Sequence, residues 1–182
     1  MSRYAEAQKV GNLRGAGDAR PTALQVIQDE GLTGKLTDKV FLITGVSPGI
    51  GIETLRALHT TGALVFDTRS LKVTRSSKHH LPRHVRSGAA DFLQKSNDKV
   101  NLLVANAGIM ATPYEKTVDG FESQFGTNHV AHFLLFQLLK PALLAFATPE
   151  YLSRVVSVTS RDHFFGPPLL DDYNFETTPY GP

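Results

Sequence analysis

At 182 residues with 41% hydrophobic content, the chain is long enough for one domain with a sizeable core and has the composition of an ordinary globular protein. It has no cysteine, which excludes disulfides, thiolate catalysis and cysteine-ligated zinc, and it has no apolar run of about eighteen residues that would span a membrane. A formal charge of +2 is too small to point to nucleic acid, and the N-terminus lacks the basic and then apolar regions of a signal peptide, so the expected compartment is cytoplasmic.

Residues 1–34 read as an N-terminal extension with a short helix, and residues 35–182 as the domain. Met1 to Arg20 is polar and interrupted by glycine, as surface segments are. Pro21 suits the first turn of the helix, Leu24, Val26 and Ile27 give it an apolar face, and Gly31 ends it. Val40 to Thr44 is strand one: its continuous apolar run, Val40 to Ile43, suits a parallel strand covered on both faces. Ile50 to His59, with Ile52, Leu55 and Leu58 on one side, is a helix, and Ala63 to Phe66 is strand two of a strand-helix-strand unit with a right-handed crossover.

From Arg69 to Arg86 the chain carries Arg69, Lys72, Arg75, Lys78, Arg83 and Arg86, with no acid between Asp67 and Asp91. With Pro82 and no apolar periodicity, this stretch reads as a loop able to neutralise phosphate. His79, His80 and His84 have no accompanying acid or cysteine, so no metal site is expected. Ser87 to Ser96 is a short helix with Ala89, Ala90, Phe92 and Leu93 turned inward, and Val100 to Ala105 is a buried strand running into Asn106-Ala107-Gly108. Gly120 to Phe146 is strongly apolar, with Phe121, Phe125, Phe133, Leu134, Leu138 and Leu139 as core or interface positions, and Pro141 is expected to kink or interrupt it. Arg154 to Thr159 is the last strand, and the proline-rich tail from Phe164 is irregular.

The junction Thr44-Gly45-Val46-Ser47-Pro48-Gly49-Ile50-Gly51 is the most informative stretch. Gly45, Gly49 and Gly51 remove Cβ atoms that would hold a pyrophosphate away from the backbone, and the helix that follows turns its free N–H groups toward an anion. The spacing is Gly-x-x-x-Gly-x-Gly rather than the commoner Gly-x-Gly-x-x-Gly.

Four motifs in order resemble the short-chain dehydrogenase/reductase family, and more closely its subgroup of retinol-dehydrogenase-like and WW-domain-oxidoreductase-like enzymes. They are Thr44-Gly45-x-x-x-Gly49-Ile50-Gly51, Asn106-Ala107-Gly108, Asn128-His129-Val130-Ala131-His132-Phe133 and Val155-Val156-Ser157-Val158-Thr159-Ser160. The resemblance covers the chain from about Lys35 onward. It implies an α/β fold with a Rossmann-type doubly wound parallel sheet and a nicotinamide cofactor held by Thr44, Gly45, Ser47, Gly49, Ile50, Gly51, Asn106, Ala107 and Gly108. It also implies that Ser160 donates a hydrogen bond to the developing oxyanion and that Asn128 holds a proton-relaying water. Apart from the family, Ser160 reads as a strand-end serine.

The family's Tyr-x-x-x-Lys pair, a proton donor with a lysine that lowers its pKa, is not found. Tyr4, Tyr114, Tyr151 and Tyr173 are followed four residues later by Gln8, Val118, Val155 and Thr177. Tyr173 lies in Asp171-Asp172-Tyr173-Asn174-Phe175-Glu176, which matches a loop preceding the subgroup's tyrosine. The expectation is therefore a truncated, incomplete sheet, with the third strand and the C-terminal strands missing, strand two at an edge and marginal stability. Pro48 removes one phosphate donor, for which the Ser47 hydroxyl compensates.

Arg69 after strand two suits the 2′-phosphate of NADP(H), whereas Asp67 suits the ribose hydroxyl of NAD(H); the basic loop and the subgroup favour NADP(H). The leading function is interconversion of a carbonyl and a secondary alcohol on a small apolar molecule, such as a lipid or specialised metabolite. The alternatives are a non-catalytic relative retaining part of the nucleotide site, and an interaction module forming a homo- or hetero-dimer through the helical region 120–146.

Overall fold

All four residues of β1 (Val40–Ile43) are buried, and the strand lies inside a parallel sheet because none of its side chains needs water on either face. A computed structural model of the chain describes residues 3–15, 17–47, 49–69, 81–160, 164 and 166–181. Among these, β2 (Leu64–Asp67), β3 (Leu102–Ala105) and β4 (Arg154–Ser157) complete a sheet of order β2-β1-β3-β4, with every neighbouring pair parallel. The expected doubly wound α/β architecture is present, with β2 at an edge. Pro48, Lys72, Arg75, Lys78, His79 and His80, which carried part of the phosphate-loop and basic-loop expectations, lie outside the described residues.

Chain direction explains the layers. The chain leaves β1 through α2 (Ile50–Thr60) for β2, then crosses back past β1 through α3 (Leu81–Ser96) to β3. It continues in that second direction through α4 (Ser123–Phe125) and α5 (Ala131–Ala145) to β4. Parallel crossovers share one hand, so the reversal at β1 sends α2 to one face and α3 and α5 to the other. The core divides accordingly: Ile43, Val46, Leu55 and Val104 cluster on the α2 face. Val40, Leu42, Phe92, Leu103, Leu135 and Leu139 cluster on the other. The short α1 (Ala23–Asp29) packs on α2.

Several expectations are corrected. Residues 81–86 are helical, because α3 starts at Leu81. Pro82 is tolerated in a first turn that has no intrahelical use for its N–H, and the Asp119 carboxylate accepts from Leu81 N at 2.7 Å. Ala89 and Phe92 face inward as expected, whereas Ala90 is exposed. Pro141 does not interrupt α5, which runs through it to Ala145; anchoring by the buried Leu135, Leu139 and Leu143 offsets the lost backbone bond. The apolar segment is instead divided further upstream, where a π-helical turn (Gly126–Val130) separates α4 from α5, and Phe133 is 57% exposed, which excludes the core half of its core-or-interface expectation. Pro21 precedes the cap of α1, since Thr22 is the N-cap and its side chain accepts from Gln25 N. The last strand stops at Ser157, with all four residues exposed.

Asn101 ties the sheet to its helical cover. Its buried side chain accepts from Val40 N at 3.0 Å and donates to Phe146 O at 3.1 Å, while its own carbonyl accepts from Arg154 N. Asn101→Leu leaves the Val40 N–H and the Phe146 carbonyl unpaired and is expected to cost about 2–4 kcal/mol, read as a shift in the urea-unfolding midpoint at unchanged m-value.

Candidate functional site

Strand β1 ends at Ile43, one residue short of the expected Thr44, and the Thr44 hydroxyl holds the junction of two turns. The side chain is buried, and its Oγ1 accepts from Asn106 N at 3.0 Å and Ala107 N at 2.9 Å, both in the turn after β3. Asn106 returns the contact, with its side-chain amide donating to Thr44 O at 3.1 Å and Gly45 O at 2.8 Å. The turns approach so closely that side chains are excluded. A Cβ on Gly45, whose φ is +70°, would lie 2.4 Å from Ala107 Cα, and one on Gly51 would lie 2.0 Å from Gly45 O and 2.6 Å from Asn106 Nδ2. At Gly45 and Gly51, expected to clear space for a phosphate, the missing Cβ is what lets the two turns pack together.

On the outer side the turn is open. Gly49 is the N-cap of α2 and has nothing within 4 Å of where a Cβ would stand. Ser47 and Ile50 are exposed. The first-turn N–H groups of α2, which lack intrahelical acceptors, begin at this open surface. The described residues therefore fit a pyrophosphate: backbone donors, a positive helix end and open space where a Cβ on Gly49 would stand.

Asn128 lies in the π turn, a distortion often found at functional sites. Its side chain binds one backbone unit at both ends: Nδ2 donates to Ile109 O and Oδ1 accepts from Ile109 N, each at 2.9 Å. Asn128 thus fixes the segment after Gly108, where a Cβ would meet Asn128 Oδ1 at 3.4 Å, an ordinary contact. The Asn128 carbonyl lies 3.1 Å from His132 Nδ1, and His132 Nε2 lies 2.9 Å from Thr44 Oγ1. Nothing in the spacing of His132 within its motif announces a partner eighty-eight residues away.

The charged pair near the end of β2 does not present two independent groups. Asp67 Oδ1 accepts from Arg69 N at 2.7 Å and lies 3.4 Å from Arg69 Nε. The residues proposed to distinguish NAD from NADP are thus bonded to one another. Ser160 is exposed, three residues beyond the end of β4, at the same C-terminal side of the parallel sheet as Thr44, Asp67 and Asn106. Tyr173 packs on Phe125 with ring centroids 4.9 Å apart.

The tail also braces the segment before Asn128, which the sequence did not reveal. The buried Glu122 carboxylate caps α4 through Gln124 N and Phe125 N. Asn174 accepts from Glu122 N and donates to Gly120 O, and the Tyr180 hydroxyl donates to Thr112 O.

Comparison with known proteins identifies the lineage of this arrangement. The chain is 46% identical to short-chain dehydrogenase/reductase prx1 of Penicillium roqueforti over 178 residues, covering 89% of this chain and 52% of that protein. The chain belongs to the short-chain dehydrogenase/reductase family. It is also 42% identical to oxidoreductase calI of Penicillium decumbens over 204 residues, covering all of this chain and 58% of the relative. Human retinol dehydrogenase 12 is 36% identical over 151 residues, 72% of this chain and 46% of that enzyme. The chain therefore spans about half the length of the curated relatives it matches. The 204 matched positions against calI exceed the chain's own 182 residues, so that relative carries residues within the matched region that this chain lacks. A crystal structure of an uncharacterised protein from Mycobacterium paratuberculosis superposes with a TM-score of 0.57 at 32% identity, over 79% of this chain and 54% of that one. No protein-family model matches the chain. Among the described residues no helix is long and apolar enough to cross a membrane.

Removing the Thr44 hydroxyl isolates its functional weight. Thr44→Val keeps the shape but leaves the Asn106 and Ala107 N–H groups unpaired, and is expected to destabilise by about 2–4 kcal/mol. Thr44→Ser retains the oxygen and is expected to cost about 1 kcal/mol for the lost methyl. Urea unfolding of the two variants checks the difference.

Proposed function

We propose that the chain binds a nicotinamide dinucleotide at the C-terminal edge of its sheet and belongs to an oxidoreductase that interconverts a carbonyl and a secondary alcohol on a small apolar substrate. The observation carrying this reading is the junction at Thr44, where two turns meet without room for a Cβ at Gly45 or Gly51 and open on the start of α2. Ligands of open α/β sheets bind where strand order reverses, and β1 and β3 are the strands on either side of that reversal here.

When bound, the nicotinamide supplies or accepts the hydride. The remaining roles fall to the chain. The turn through Ser47, Gly49, Ile50 and Gly51 would hold the pyrophosphate, and Asn106, Ala107 and Gly108 would flank the adenosine ribose. The Ser160 hydroxyl donates to the substrate oxygen where negative charge grows, and Asn128 keeps the Ile109 backbone unit in place. We assign NADP(H) as the preferred cofactor, with Arg69 turning from Asp67 to the 2′-phosphate.

A second reading is a nucleotide-binding relative without turnover. Two measurements separate the readings. Titration with NADPH and NADH, followed by nucleotide fluorescence, is expected to show saturable binding with NADPH the tighter. Arg69→Ala is expected to weaken NADPH about tenfold or more while leaving NADH within about twofold. Equal losses for both cofactors exclude the 2′-phosphate role, and no binding of either removes the nucleotide reading altogether. Where carbonyl reduction is measurable, Ser160→Ala is expected to lower kcat by about 10²–10³-fold; binding with no reduction in the unaltered chain supports the second reading.

A further inference from the structure

We infer that His132 is a positioning residue for the nucleotide turn, holding the Thr44 hydroxyl in the one orientation that lets it receive both N–H groups of the turn after β3. The functional consequence rests on the nucleotide-binding reading, but the geometry stands independently. A carbonyl oxygen only accepts, so the 3.1 Å contact between His132 Nδ1 and Asn128 O requires the proton on Nδ1. In a neutral ring Nε2 is then an acceptor. A threonine hydroxyl has two acceptor sites and one hydrogen. Asn106 N and Ala107 N occupy the acceptor sites, so the hydrogen points at His132 Nε2, 2.9 Å away. The two ends of the imidazole independently require the same tautomer, and every group in the chain from Asn128 through His132 and Thr44 to Asn106 and Ala107 is matched.

A protonated His132 breaks the match, because Nε2–H would face a hydroxyl already receiving two donors. The surroundings oppose that charge. Burial pushes the His132 pKa below the ordinary histidine value, the Asn128 carbonyl resists the shift, and the His129 charge adds to it. The titratable groups facing His132 are His129 in the preceding helical turn and His84 of α3 across a cavity of about 180 Å³ that His132 also lines; no carboxylate is among the described residues lining it. With the folded-state pKa depressed, the unfolded chain binds the extra proton first as pH falls below about 6.5. The contribution to stability is therefore complete above that value and is lost as pH falls through the depressed pKa.

The test uses the whole chain without nucleotide. Long-range ¹H–¹⁵N correlation spectra of the histidine rings are expected to show His132 as the Nδ1–H tautomer at pH 7.5. Amide exchange at Asn106 and Ala107, corrected for intrinsic rates, is expected to rise about two- to tenfold below the His132 pKa. His132→Gln, whose side-chain oxygen retains an acceptor, keeps the protection and loses its pH dependence; His132→Phe loses protection at every pH. An Nε2–H tautomer at neutral pH, or unchanged exchange in His132→Phe, overturns the proposal. If His132→Phe does not fold, the tautomer and the pH profile of His132→Gln decide. NADPH titration of the same proteins is a separate arm: failure of the unaltered chain to bind sinks the nucleotide reading and leaves the ring assignment standing or falling on the spectra.

Discussion

The Thr44 hydroxyl is the point at which three parts of the chain constrain one another. It lies at the end of the most buried strand, where water cannot pair stray backbone donors, and it satisfies two N–H groups of a turn more than sixty residues away. Unpaired buried donors are costly, so the turn after β3 must come to this oxygen and the turn after β1 must let it approach. The glycines follow from that demand. At Gly45 and Gly51 the obstacle to a Cβ is backbone, or the amide bonded to it, which cannot rotate away as the end of a flexible side chain would. The same close approach of the turns stands beside an exposed start of α2, so one constraint underlies both the scaffold and the proposed anion site.

Topology determines why the site lies there. Had the chain continued past β2 in its first direction, α3 would have joined α2 on one face and the C-terminal ends of β1 and β3 would not border a crevice. The reversal separates the helices and leaves the gap. Charge at its margins is balanced. Asp67 holds Arg69 through both its backbone and its side chain, so the proposed 2′-phosphate role of Arg69 requires it to exchange an intramolecular partner.

Much of this was legible because it is local. The apolar run at Val40, the glycine spacing and the start of α2 are properties of a dozen adjacent residues, and parallel strands buried on both faces leave an unambiguous signal. The start of α3 was not legible: its first turn contains Pro82 and basic residues without apolar periodicity, and its N-terminal bond goes to Asp119, thirty-eight residues on. Likewise, Pro141 looked like a breaker until tertiary packing by Leu135, Leu139 and Leu143 was considered. His132 and Asn174 escaped for the same reason, since a histidine or asparagine acquires its role from distant partners that no period reveals.

The two halves of the candidate site are held unequally. The nucleotide half is determined several times over, by Thr44, Asn106, Asn128 and His132 from inside and by the Asn174 and Tyr180 contacts from the tail. Ser160, by contrast, follows a strand whose residues are all exposed and which, among the described residues, pairs only with β3. The last backbone bond before Ser160 in that ladder runs from Val158 N to Ala105 O. Each such bond contributes only about 1 kcal/mol net, and little buried apolar surface supports it. The proposed cofactor-binding and substrate-orienting roles therefore draw on different reserves of rigidity. Perturbations along β4 act on the second while leaving the first anchored through Thr44.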